Sequence, residues 1–171
     1  MNILHIYKDY FPVLGGIENH IKVLAEAQAA AGHQVIVSVC DPGQRTQVKE
    51  LNGVKVIKSG RLATVASMPL SLSQPIALLR LQPDVIHVHS PYPLGEVSAW
   101  LFGHSLPLVI TYHSDVVRQQ GLLRLYGPLL RRVLRRADRI LPTSPHYVQT
   151  SPWLVPVRDK CVVVPLGVDH H

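Results

Sequence analysis

Short apolar runs, each too brief to be a core helix, recur along the whole chain and alternate with stretches of helical character. Residues 2–7, 34–40, 54–58, 84–89, 108–112, 139–142 and 161–165 read as strands, and residues 16–31, 72–81, 94–102 and 119–136 read as helices. Turn signals punctuate them: Gly32 suits the left-handed position after a helix, Asp41-Pro42-Gly43 stops the second strand, Asn52-Gly53 precedes the third, and Pro83 halts a helix. Only 59–71 is illegible. Strands that are almost continuously apolar belong in a parallel sheet covered on both faces, so the expected fold is α/β, a doubly wound, mostly parallel, Rossmann-like sheet. Such sheets bind ligands outside the carboxyl ends of their strands, which directs attention to the residues that follow each strand.

At 171 residues, 47% hydrophobic and 16% charged, the chain suits one packed core and a single domain, 1–171, without a linker or internal repeat. Cys40 and Cys161 lie in or beside valine-rich runs without CxxC or zinc spacing and read as packed thiols. With a strand at the very start, no secretory leader and no run of membrane-spanning length, a cytoplasmic protein is expected, with any membrane contact peripheral. The net charge of +6 is concentrated: Arg118, Arg124, Arg131, Arg132, Arg135 and Arg136 fall in a segment with no acidic residue. Leucines at 122, 125, 129, 130 and 134 give that segment an apolar face, and Pro128 must begin or kink a helix. It is either a solvated surface helix or a surface for anionic lipid headgroups. Nucleic acid ranks last, because no recognition motif is present and aromatic interleaving is slight.

After the first strand, Gly15 and Gly16 open a helix, where backbone N–H groups and the positive end of the helix dipole can face a phosphate. The pattern is neither GxGxxG nor a lysine-bearing P-loop, and a plain tight turn explains it equally well. Glu18 has Lys22 four residues on, the spacing of a solvated ion pair. His87 and His89 share one face of their strand, yet no third ligand with suitable local spacing is evident, so structural histidines are expected there and no metal. His89 and Tyr92 lie nearer the carboxyl end, where a cleft would form. His113 follows the fifth strand with Ser114 and Asp115 adjacent. Its ring could hydrogen-bond a sugar hydroxyl or, if charged, offset a leaving phosphate, or it could be structural. No GxSxG exists, which argues against a serine hydrolase.

Taken in order, Tyr10-Phe11-Pro12 with Gly15-Gly16-Ile17-Glu18 and His20, Gly32-His33-Gln34-Val35, Pro83 to His89, Thr111 to Asp115, Ala137-Asp138-Arg139-Ile140 and Val164 to Asp169 resemble the N-terminal domain of group 1, family 4 glycosyltransferases of the retaining GT-B arrangement. The resemblance covers essentially the whole chain. It implies transfer of a sugar from a nucleotide-sugar donor, such as a UDP- or GDP-sugar, to an acceptor hydroxyl, on a glycan or lipid-linked acceptor of the cell envelope. It also implies that no cofactor or metal is needed, in keeping with the lack of a DxD motif. In the proteins it resembles, the glycine pair matching Gly15 and Gly16 meets the donor phosphates and the histidine matching His113 lies beside the transferred sugar. Glu18, His20, His89, Tyr92 and Asp115 are then expected to contact the acceptor or line the cleft. The resemblance further implies a C-terminal donor-binding domain beyond this chain, without which the chain is expected to be inactive. Leu166 stands where the family's Pro-Asn-Gly-Val-Asp has asparagine. A non-catalytic module docking on membrane or nucleic acid through the arginine segment is the alternative.

Overall fold

The computed structural model describes residues 1–41, 43, 45–65, 68–71, 73–115 and 120–166. Its strands are β1 (Asn2–Ile6), β2 (Gln34–Cys40), β3 (Gln47–Leu51), β4 (Val54–Ser59), β5 (Ala63–Val65), β6 (Met68–Leu70), β7 (Val85–Ser90), β8 (Leu108–Tyr112) and β9 (Arg139–Pro142). Its helices are α1 (Gly16–Ala30), α2 (Ser73–Leu81), α3 (Pro93–Phe102), α4 (Gln120–Arg136) and α5 (Pro145–Thr150), followed by a 3₁₀ turn at Val155–Lys160. Seven strands form one sheet in the order β3-β4-β2-β1-β7-β8-β9, and only β3 runs antiparallel. Counting the parallel strands alone in chain order, the sheet runs 3-2-1-4-5-6, the doubly wound order whose ligand crevice opens between β1 and β7.

The element boundaries follow local chemistry. Gly32 adopts φ +87, which permits the turn out of α1. Asn52 and Gly53 both take positive φ, 49 and 78, and Leu51 pairs with Val54, so this dipeptide is a two-residue hairpin loop. Reading it only as the start of β4 missed the strand before it, because β3 is an exposed edge without an apolar run. The expected strand at 161–165 is reduced to one bridge, Cys161 with Ile140, although Val162 N and Val164 N still donate to the carbonyls of Ile140 and Pro142 at 2.9 Å. Its residues run along β9 at the sheet margin. Leu72, expected to open α2, lies outside the described residues, as do 167–171, which carry the end of the family-like motif.

The parallel register sorts side chains onto two faces. Ile3 pairs with Val35 and Val85, His5 with Val37 and His87, and His89 with Thr111, so these residues share one face, which α1 covers. Leu4, Ile6, Ile86, Val88 and Ile110 occupy the other, fully buried. There α3 packs so closely that a Cβ added at Gly95 would lie 2.6 Å from the Tyr92 ring and 2.8 Å from an Ile6 methyl. Gly95→Val should therefore lower stability by about 1–3 kcal/mol through overpacking, read as a lower urea midpoint with an unchanged slope. An unchanged midpoint would refute this account of the contact.

Candidate functional site

The loop after β1 delivers the chain to α1 through Gly15, which is the helix N-cap and has no side-chain capping bond. Its φ of −170 is open to any residue. A Cβ at Gly15 would sit 2.1 Å from Glu18 Oε2. Glu18 is buried, with its carboxylate folded back against the helix start, where the dipole favours negative charge. The expected Glu18–Lys22 pair does not form. Lys22 instead bonds Glu26 at 2.8 Å, because Glu18 has been drawn to the N-terminus. Gly16 differs from its neighbour: nothing lies within 4 Å of a Cβ placed there.

Beside this turn, the sheet face under α1 carries a chain of imidazoles. Gln28 Oε1 lies 2.7 Å from His5 Nε2, His5 Nδ1 lies 3.1 Å from His89 Nε2, and His89 Nδ1 lies 3.3 Å from His113 Nε2. His87 stacks on His89 with ring centroids 4.5 Å apart and bonds Thr111 Oγ1 at 2.7 Å. His20, from the second turn of α1, sets its ring edge-on to both His113 and His89, at 5.5 and 6.0 Å. Burial is the dominant cause that lowers every one of these pKa values, taking His5 and His113 to about 4 and His87 and His89 well below the usual range. A cationic His113 facing a leaving phosphate is thus disfavoured at neutral pH, and its chemistry is that of a neutral hydrogen-bonding ring.

His5 is the third histidine that local spacing could not supply, and its nitrogen lies within 4.8 Å of those of His87 and His89. The rings are stacked or tilted, and His5 and His89 direct nitrogens at each other, so lone pairs do not converge as a metal requires. Sequence reasoning missed both His5 and Gln28. A histidine within an otherwise apolar first strand was the available signal, since β1 and β7 are neighbours in any sheet of this order.

The remaining expected site residues are dispersed. His89 and Tyr92 are fully buried, and the Tyr92 hydroxyl donates to Gln74 Oε1 at 2.5 Å and contacts Cys40 Sγ at 3.3 Å. Asp115 Oδ1 accepts from Tyr112 at 2.5 Å and from Ser151 at 2.7 Å, which ties the loop after β8 to the end of α5. On α4, Leu130, Val133 and Leu134 are buried while Arg131, Arg132 and Arg135 are exposed. Arg131 lies 5.2 Å over the Trp153 ring, and Arg136 is half-buried and donates to the carbonyls of Gly103 and Leu106, so it is a packing residue. Arg118 and the side chain of Arg124 lie outside the described residues. Cys40 is buried and Cys161 half-buried, both as free thiols.

Buried neutral histidines couple folding to pH. Their folded pKa values lie below the unfolded 6.5, so as pH falls from 6.5 towards 4 the unfolded chain binds more protons and stability is lost, by about 1.4 kcal/mol per pH unit for each such ring. The urea midpoint should be level above pH 7 and fall steadily below 6.5. A flat profile down to pH 4.5 would show the rings to be solvated.

Comparison with known proteins identifies the family. The model of glycosyltransferase family 4 matches residues 14–171. An O-antigen chain mannosyltransferase of Escherichia coli is 36% identical across all of this chain and 47% of its own length. A D-rhamnosyltransferase of Pseudomonas aeruginosa is 37% identical across 99% of the chain and 45% of its own. A GDP-mannose-dependent alpha-mannosyltransferase of Mycolicibacterium smegmatis is 28% identical across 84% of the chain and 42% of its own. The chain therefore spans about half the length of these relatives. A sucrose-phosphate synthase from Thermosynechococcus elongatus superposes with a TM-score of 0.67 at 19% identity, covering 99% of this chain and 91% of that one, and shows the shared fold alone. A family model matched over nearly the whole chain, on the doubly wound sheet expected of its N-terminal half, establishes that this chain belongs to glycosyltransferase family 4.

Proposed function

We propose that this chain is the single, acceptor-side N-terminal domain of a retaining, metal-independent GT-B glycosyltransferase, which moves a sugar from a nucleotide-sugar donor to an acceptor hydroxyl. A second, donor-binding domain faces it across the cleft and supplies most nucleotide contacts. The observation that carries the reading is the convergence of the α1 start and His113 at the carboxyl edge of the sheet, with His20 of α1 edge-on to the His113 ring. In this role His113 contacts the transferred sugar as a neutral ring, Gly15 and Gly16 border the donor phosphates, and His20 shapes the wall between them. Relatives named for mannosyl and rhamnosyl transfer, one of them dependent on GDP-mannose, make GDP-mannose the first donor to test.

In the polypeptide that carries this chain with its second domain, His113→Ala should lower turnover, read as nucleoside diphosphate release, by roughly 10²-fold, and Gly16→Val should lower it as well. Unchanged turnover in both variants would remove the site. The acceptor is proposed to be a lipid-linked or cell-envelope glycan met at the cytoplasmic membrane face, supported by the exposed arginines on α4. No helix among the described residues is long and apolar enough to cross a membrane. The protein should therefore co-sediment with vesicles containing anionic lipid and weaken in salt, because each basic group at the surface contributes about 1 kcal/mol. Equal binding to neutral and anionic vesicles would exclude this surface.

A further inference from the structure

A neutral imidazole has one donor nitrogen and one acceptor nitrogen, so a row of hydrogen-bonded imidazoles has a direction, and a group at either end sets it for all. Gln28 Oε1 is a carbonyl oxygen and can only accept, which places the proton of His5 on Nε2. His5 Nδ1 must then accept from His89 Nε2, and His89 Nδ1 must accept from His113 Nε2. The last nitrogen in the row, His113 Nδ1, is left as a bare lone pair. It is buried and has no partner in the protein, on a residue only 7% exposed. A buried acceptor without a donor is costly, and a site holding one discriminates strongly for a ligand that completes the bond.

We propose that Gln28 is a positioning residue. By accepting the His5 proton it fixes the polarity of the whole imidazole row, so that His113 meets its ligand through an unprotonated Nδ1 and selects a hydrogen-bond donor, a sugar hydroxyl, over a phosphate oxygen. The identity of the ligand rests on the glycosyl-transfer reading, whereas the tautomers do not. Phosphate oxygens at neutral pH offer lone pairs that would oppose the one on Nδ1, so the donor's phosphates belong at another part of the cleft. Gln28 reaches its post from α1 and borders a cavity of about 300 Å³ between that helix and the sheet. The other titratable groups facing the row are His20, whose pKa is also lowered by burial, His87, which bonds Thr111 and joins the row only by stacking, and Tyr7, whose ring stands edge-on to His89 at 6.3 Å.

The tautomers can be read directly from long-range ¹H–¹⁵N correlations of the imidazole rings in this chain at pH 8. Wild-type protein should show His5, His89 and His113 each protonated on Nε2. Gln28→Met, which keeps the length of the side chain and loses the acceptor, should shift the His113 tautomer ratio roughly 2- to 10-fold towards the Nδ1-protonated form, as loss of one neutral hydrogen bond implies. Gln28→Glu restores an acceptor and should restore the single tautomer. A folded Gln28→Met protein, judged by its backbone amide spectrum, with all three rings unchanged would overturn the proposal, as would a wild-type His113 protonated on Nδ1. In the polypeptide that carries this chain with its second domain, GDP-mannose as probe should move the His113 Nδ1 resonance, and GDP at pH 8, whose phosphates carry no proton, should not. A response to GDP alone overturns the hydroxyl selection. Correct tautomers with no response to GDP-mannose overturn the sugar assignment and count against glycosyl transfer, while the role of Gln28 in setting the tautomers stands.

Discussion

Four imidazoles on one sheet face lie within hydrogen-bonding or stacking distance of one another, and a row of that kind is stable only if its members are neutral. A second proton on any of them would place a cation in a pocket with no carboxylate bonded to it, a cost of several kcal/mol in a weakly screened interior. The rest of the site follows from this. The parallel pairing of His5 with His87 and of His89 with Thr111 brings the rings to one level, and α1 lies over them with Gln28 and His20 in contact. Where another α/β domain would place Val or Ile beneath its first helix, this one has a polar layer, and each of its bonds restricts how α1 can sit. The helix start at Gly15–Gly16 is thereby held at a set distance from His113.

Much of the architecture was legible because it depends on local signals. Apolar runs at 34–40 and 108–112 coincide with β2 and β8, since a strand covered on both faces must be largely apolar, and the run at 139–142 coincides with β9, whose Ile140 and Pro142 are buried while Arg139 is exposed. Elements that carry no such run were lost. β3 is exposed along most of its length and is stabilised by pairing with β4, while α5 is only six residues long and has no buried residue to produce a periodicity. The Ser144 cap with Pro145 behind it was a genuine start signal for α5, as Ser144 accepts from His146 N at 3.2 Å. Its brevity hid it. The 161–165 run shows the opposite error: valines alone suggested a strand, but at the sheet margin they bond β9 from one side only.

The site was legible in position and not in connectivity. Placing His113 and the glycine turn after strands needed only the alternation and the rule for open α/β sheets. Recognising a row needed the strand order, because His5 and His89 are 84 residues apart. Tyr92 and Asp115 looked like cleft residues on the same positional ground, yet the Tyr92 hydroxyl is bonded to Gln74 and Cys40, and Asp115 Oδ1 to Tyr112 and Ser151. Residue type and proximity to a strand end do not reveal which polar groups are already satisfied. The arginines of α4 divide as well, since Arg136 is half-buried with Nη2 on two backbone carbonyls while Arg132 and Arg135 remain at the surface.

The two adjoining glycines, similar in the sequence, do different work at the start of α1. At Gly15 the Glu18 carboxylate occupies the space a Cβ would take, whereas Gly16 faces open space. The anion that the helix dipole attracts here is thus one of the chain's own side chains. On the proposed reading, a donor diphosphate approaching the same N-terminus meets a carboxylate of like charge, and at about 4 Å the repulsion amounts to about 4 kcal/mol at an effective dielectric of 20. That exceeds the 1 kcal/mol or so the dipole offers an anion at a partly exposed site, so phosphate and carboxylate cannot share the position. They are alternative occupants. Glu18 reaches the helix start through three rotatable side-chain bonds and can leave it at the cost of one favourable contact, while the backbone of Gly15 and Gly16 keeps its geometry. The rigid part of the proposed phosphate site is therefore the turn itself, and its charge is set by a side chain able to move.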